Sequence, residues 1–231
     1  MLHIPCREIR TCKIHGATAE GPAKRRLLTP YQFFEEVEKR GIDYEAVGLQ
    51  FYLGFGGQGS GFTVRDMFTI SELLDKYARF NKPIHISEFA VPSKNVNDEK
   101  AMIKGVSEAD CWHKPWDEDV QADWVEQFYT IAFSKPYVES ITWFELADYC
   151  FVPWGGLLHE DMSPKQSYHR LKRLLDSWTT SIEGSTNSNG EYSFRGFKSP
   201  YEVTVKKDGE IIAKISMYFN TDTTETIEVK K

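Results

Sequence analysis

The chain has 231 residues, 41% hydrophobic and 14% aromatic against 27% charged, enough to bury a sizeable core and too apolar for a disordered chain. Its formal charge of −6 excludes the basic surface that nucleic-acid binding relies on and disfavours anionic membranes. No run approaches the ~18 apolar residues of a membrane helix, and the start MLHIPCREIR lacks the apolar core of a signal peptide.

Short apolar runs alternate with amphipathic ones, the pattern of a parallel sheet wrapped in helices. A first strand is expected near Ile9. Thr29-Pro30-Tyr31-Gln32 is a capping box with proline at the first helical position, Phe33, Phe34 and Val37 form the apolar stripe, and Gly41 ends the helix. A second strand begins at Ala46. A second helix spans about 65–80, with Met67, Ile70, Leu74 and Tyr77 on one face.

The third strand begins at Ile84, and the two-residue period puts Ile84, Ile86 and Glu88 on one face, with the carboxylate at the C-terminal end. A carboxylate there projects into the mouth of a barrel or sheet as nucleophile, base or ligand, or else is a salt-bridged or capping glutamate. A third helix covers about 118–133 with Val120, Trp124, Phe128 and Ile131 on its stripe. A fourth strand starts at Val138, and a fourth helix starts at Ser163-Pro164 and carries Tyr168, Leu171, Leu175 and Trp178.

Beyond Trp178 a polar, Gly/Ser/Asn-rich stretch marks a boundary near Ser181, dividing the chain into 1–180 and 181–231. The tail alternates as an all-β module, with Asp208-Gly209 as a hairpin turn and Ile211, Ala213, Ile215, Met217 and Phe219 on one face.

Cys6, Cys12, Cys111 and Cys150 are too sparse for a disulfide scaffold and lack zinc spacing. Gly54-Phe55-Gly56-Gly57-Gln58-Gly59 matches the dinucleotide-binding GxGxxG pattern, but Ser60 to Val64 separate it from the next helix, and Glu88 lies too far along to hold a ribose. The other reading is a surface loop after a strand. Tyr52, Phe55, Trp112, Trp116, Trp143, Tyr149 and Trp154 follow strands, where flat rings suit sugar faces or fill the core. Glu145 and Asp148 either bond sugar hydroxyls or are solvated loop acids.

Gly48-Leu49-Gln50, Ile84-His85-Ile86-Ser87-Glu88, Thr142-Trp143, Asp148, Trp154, Leu157-Leu158, Asp161 and Pro164-Lys165-x-x-Tyr168, in that order, resemble the second half of glycoside hydrolase family 10, the endo-β-1,4-xylanases. The likeness runs from about Ile9 to Trp178. It implies an α/β fold, the C-terminal half of a (β/α)₈ TIM barrel in about four β/α units, followed by a small all-β domain like the β-sandwich modules of secreted enzymes. It further implies a retaining glycoside hydrolase of xylan-type polysaccharide in which Glu88 is the nucleophile and Gln50, Tyr52, Trp143, Asp148 and Trp154 bind substrate, with no cofactor.

Tyr52 stands where the family has a histidine, Ala90 where it has an aspartate and Phe144 where it has a glycine, and one extra residue separates Trp143 from Asp148. The family's acid/base glutamate falls upstream of Met1, so an internal start in a truncated gene is expected, with Glu20 as a substitute that no motif supports. A half barrel leaves two unpaired edges, so self-association or a missing N-terminal half is expected. The competing class is a non-catalytic carbohydrate-binding or interaction protein. A polysaccharide substrate puts the full-length protein outside the cytoplasm.

Overall fold

The computed structural model describes residues 8–10, 28–52, 66–94, 112–148, 154–219 and 221–229. The chain divides into two compact units, Met1–Arg173 and Leu174–Lys231.

The first unit runs β1 (Glu8–Arg10), α1 (Pro30–Lys39), β2 (Ala46–Tyr52), α2 (Met67–Ala78), β3 (Ile84–Ala90), α3 (Glu118–Ser134), β4 (Val138–Trp143) and α4 (Gln166–Ser177), the unit boundary falling inside α4. The four strands form one parallel sheet in the order β1-β2-β3-β4. Among the described residues its edges are β1 and β4.

Local sequence accounts for the helix starts. Thr29 accepts the Gln32 amide while the Gln32 side chain accepts the Thr29 amide, the reciprocal box read from the sequence. Asp66 accepts the Thr69 amide and Asp117 the Val120 amide. The fourth helix starts later than expected. Ser163 bonds Asp161, Pro164 bridges back to Leu158, and α4 opens at Gln166.

One face of the sheet is covered by helices. Phe34 and Val37 of α1 and Ile70, Leu74 and Tyr77 of α2 are buried, and α3 contributes Val120, Trp124, Val125, Phe128 and Ala132. Phe89 of β3 stacks on Phe128 at 4.4 Å and on Trp124 at 5.7 Å, and Phe51 of β2 meets Phe128 at 5.6 Å. Burial pushes the Tyr77 hydroxyl up to about 12, so it stays neutral in this core. Two stripe expectations change: Phe33 is exposed, and in α4 Leu171 is buried while Tyr168 and Leu175 are exposed.

Beyond the last turn of α4, the described regular structure of the second unit is one antiparallel hairpin, β5 (Ser199–Lys207) with β6 (Glu210–Phe219). The expected small β-sandwich therefore has one hairpin among the described residues. Asp208 at φ 52 and Gly209 at φ 86 form the predicted two-residue turn, both left-handed as a type I′ turn requires. Val205 pairs with Ala213 but Lys206 with Ile211, so Ile212 is a surplus residue in β6. Ala213, Ile215, Met217 and Phe219 share a half-buried face, while Ile211, expected among them, is turned out and 62% exposed.

Candidate functional site at the C-terminal ends of β3 and β4

β3 also carries one residue too many. Leu49 pairs with Ile86, Gln50 with Glu88 and Phe51 with Phe89, so a single step on β2 matches the two residues Ser87 and Glu88. The neighbour on the other side agrees: Ile86 pairs with Ile141 and Phe89 with Trp143. The Ser87 hydroxyl donates to the Leu49 carbonyl across this bulge.

The bulge sets which way Glu88 faces. The Leu49–Ile86 row is fully buried, and Phe51 and Phe89 both touch Phe128, so these rows face the helices. Gln50 and its partner Glu88 lie between them and therefore face away from the helix layer, both half-buried. This corrects the two-residue reading that put Glu88 in line with Ile84 and Ile86. The expected position at the strand's C-terminal end stands, and the face is the opposite one. Without the bulge, the carboxylate would enter the Phe51–Phe89–Phe128 stack and Phe89 would turn out; an unpaired charge in that stack costs several kcal/mol, on the order of its desolvation.

Tyr52 ends β2 opposite Ala90, and its side chain lies outside what the structure describes. Trp143 ends β4 half-buried, with its edge on Phe89 at 4.9 Å and its indole N–H donating to the Gly155 carbonyl. Trp154 is half-buried, and Lys94 rests on its ring 3.7 Å from the centroid.

Asp148 is not a sugar-facing acid. It is 2% exposed, and its Oδ1 accepts from Lys165 Nζ at 2.5 Å and from the Gly156 amide at 3.0 Å. With so little surface it has no route to a sugar hydroxyl, and its role is to hold the loop between β4 and α4. Glu145, the other loop acid, is buried as well.

Sequence reasoning missed the partners of this loop. Lys165 is 1% exposed and donates to Asp148, to Ser93 Oγ at 3.0 Å and to the Trp154 carbonyl at 3.2 Å. Burial pulls its ammonium below the ordinary lysine value, and the Asp148 carboxylate opposes that pull. Gln121, fully buried on α3, donates to the Val91 carbonyl and accepts from Ser167. Two signals were available. A lysine just before a helix sits where the dipole disfavours a cation, and a glutamine spaced with Val125, Phe128 and Ala132 interrupts an apolar stripe.

Trp154 itself has φ 56, a left-handed conformation costing a bulky residue on the order of 1–3 kcal/mol. At Gly156 a Cβ would collide with the Ala147 carbonyl carbon and the Asp148 nitrogen, so only glycine fits.

Of the other rings, Trp116 is buried in the core, and Trp112 is half-buried against His113 at 4.3 Å. The candidates left are Cys6, Cys12, Glu20, Gly54 to Gly59, Cys111, Tyr149 and Cys150. All lie outside the described residues. α2 opens at Met67 under an Asp66 cap, well past Gly59, so its N-terminus is not the one a GxGxxG loop would hand to a pyrophosphate. Among the described residues no helix is long and apolar enough to cross a membrane.

No family model matches the chain. The anti-sigma-I factor RsgI6 of Acetivibrio thermocellus is 26% identical over 178 residues, covering 75% of this chain and 19% of that protein. The chain thus spans about a fifth of the length of this curated relative. Among solved structures, xylanase 10B from Thermotoga maritima is similar at 19% identity and a TM-score of 0.47, over 64% of this chain and 41% of that one. The β-glucuronidase of Faecalibacterium prausnitzii is similar at 17% identity and a TM-score of 0.41, over 62% of this chain and 23% of that one.

Proposed function

We propose that the first unit carries the nucleophile half of a retaining glycoside hydrolase site for β-1,4-xylan-type polysaccharide. The observation that carries this reading is the bulge at Ser87, which pairs Glu88 with Gln50 on the sheet face away from the helices. In this reading the Glu88 carboxylate attacks the anomeric carbon and the C–O bond to the leaving sugar breaks. Water then hydrolyses the glycosyl-enzyme. Gln50 and Tyr52 flank the nucleophile, and Trp143 and Trp154 shape the sugar cleft. A second carboxyl about 5–5.5 Å from Glu88 has to protonate the leaving oxygen, and no residue of this chain is assigned to it.

The test is intact-mass spectrometry after incubation with a 2-fluoro xylobioside bearing an activated leaving group, which needs little acid assistance. An adduct mapped to Glu88 is expected. A folded chain that stays unmodified overturns the assignment.

A second reading is a non-catalytic glycan-binding module of a regulatory protein, and the likeness to an anti-sigma factor favours it. Affinity for xylo-oligosaccharides with neither adduct nor turnover would select it. Both readings put the working protein outside the cytoplasm, where polysaccharide is met. The edges that β1 and β4 form among the described residues support pairing with a second copy or with a further barrel half. A monodisperse monomer in light scattering would count against that pairing.

A further inference from the structure

We propose that Lys165 is the positioning residue of this site: its buried ammonium is a three-way latch that fixes the turn carrying Trp154 beside the end of β3. The inference rests on the glycan-site reading above for its purpose, and on geometry alone for its existence.

The latch joins segments far apart in the chain. Lys165 reaches Ser93 beyond β3, Asp148 beyond β4 and the Trp154 carbonyl in one cluster of contacts at 2.5 to 3.2 Å. The same Trp154 carbonyl also accepts the Ser93 amide and the Ser93 hydroxyl, each at 3.0 Å, and Gln121 Nε2 at 3.4 Å. Four donors on a single carbonyl exceed its two lone pairs, and they surround a residue that is forced left-handed. A strained conformation persists where its surroundings over-determine it. Asp148 closes the ring by taking the Gly156 amide, two residues past Trp154.

The turn lies at the working end of the sheet. Trp143, which pairs with Phe89, donates to Gly155 of the same turn, and Phe89 directly follows Glu88. The described partners of the Lys165 ammonium are the buried Ser93 and Asp148 and a backbone carbonyl, so its effect on a bound sugar passes through Trp154. A fixed backbone narrows the rotamers open to the Trp154 ring, and Lys94 at 3.7 Å holds one of its faces, so the ordering cost of binding a sugar against the ring falls.

The test compares Lys165→Met, Asp148→Asn and the double variant. Lys165→Met alone leaves a buried carboxylate unpaired and should lower the melting temperature strongly. The double variant removes both charges at nearly constant volume and should recover most of that loss. Its affinity for xylotetraose by calorimetry should nonetheless stay weaker than wild type by roughly tenfold, with the 2-fluoro xylobioside inactivation constant raised and the rate at saturation little changed.

A double variant that binds xylotetraose as wild type does overturns the proposal, because the ion pair then serves stability alone. If the double variant fails to fold, Ser93→Ala removes one hydroxyl and keeps the ion pair; about threefold weaker binding is expected, and wild-type binding overturns the proposal. If wild type neither binds nor labels, the glycan-site reading fails. The latch is then decided by amide exchange at Ser93 and Gly156. Roughly tenfold faster exchange in the double variant, with β3 unchanged, supports it, and equal exchange overturns it.

Discussion

In β3 the surplus residue, Ser87, lies mid-sheet between two hydrogen-bonded neighbours, whereas in β6 the surplus residue, Ile212, lies beside a hairpin turn with Ile211 largely in solvent. Both bulges interrupt a two-residue alternation and turn the side chains beyond them to the other face. In β3 the correction returns Phe89 to the Trp124 and Phe128 stack and leaves Glu88 on the open side. In β6 it decides only which isoleucine is wet. No described residue of the second unit, 174–229, is fully buried. A backbone irregularity therefore acquires chemical meaning from the packing it has to satisfy, and the hairpin has little packing to satisfy.

The largest effect should come from removing the ring that the β3 bulge serves. Phe89→Ala is expected to cost about 3–5 kcal/mol in urea unfolding of the first unit. A loss under about 1 kcal/mol would mean that the stack does not enforce the bulge. Asp117→Ala removes the cap of the helix that receives Phe89 and should cost about 1 kcal/mol.

Burial raises the Asp117 pKa, but the Val120 amide and Lys114 outweigh it and hold the carboxyl below its ordinary value. A depressed carboxyl stabilises the fold fully above its unfolded value, and that contribution is lost as pH falls through the folded value. The difference between wild type and Asp117→Ala should accordingly shrink in acid, as thermal unfolding from pH 7 to pH 3 would reveal.

On the hairpin side, Gly209→Ala at φ 86 should cost about 1 kcal/mol, read as a loss of cross-strand amide protection. Smallest of all, deletion of Ile212 gives β6 the regular register. It should change stability by less than about 0.5 kcal/mol and leave the Val205–Ala213 pairing intact in cross-strand nuclear Overhauser effects.

These contrasts also explain what could be read in advance. The helix starts at Thr29 and the hairpin turn at Asp208-Gly209 follow from short-range chemistry, in which a cap or a turn needs particular residues at particular offsets. Four strands separated by helical stripes were likewise visible as periodicity. The face of Glu88 was not, because Ile84, Ile86 and Glu88 satisfy the alternation as well as any regular strand does. The competing signal, Phe89-Ala90-Val91 running apolar past the glutamate, gains weight only once Phe128 is known to await it. Asp148 was misread for a similar reason: an acid after a strand looks available until its cation, Lys165 on the far side of the loop, is seen to be buried with it.

The latch has a consequence for the order of assembly. Its Ser93–Lys165 contact closes 72 residues of chain, and its Gln121–Val91 contact closes 30. Such closures are favourable only after the intervening elements have already condensed. Trp154 is thereby expected to reach its left-handed turn late in refolding, after the β3–α3 stack. In pulse-labelled amide exchange during refolding, protection of the Ser93 amide, which donates to the Trp154 carbonyl, should lag behind that of the α3 amides. The turn that carries Trp154 would be the last part of the β3–β4 end of the sheet to acquire a shape.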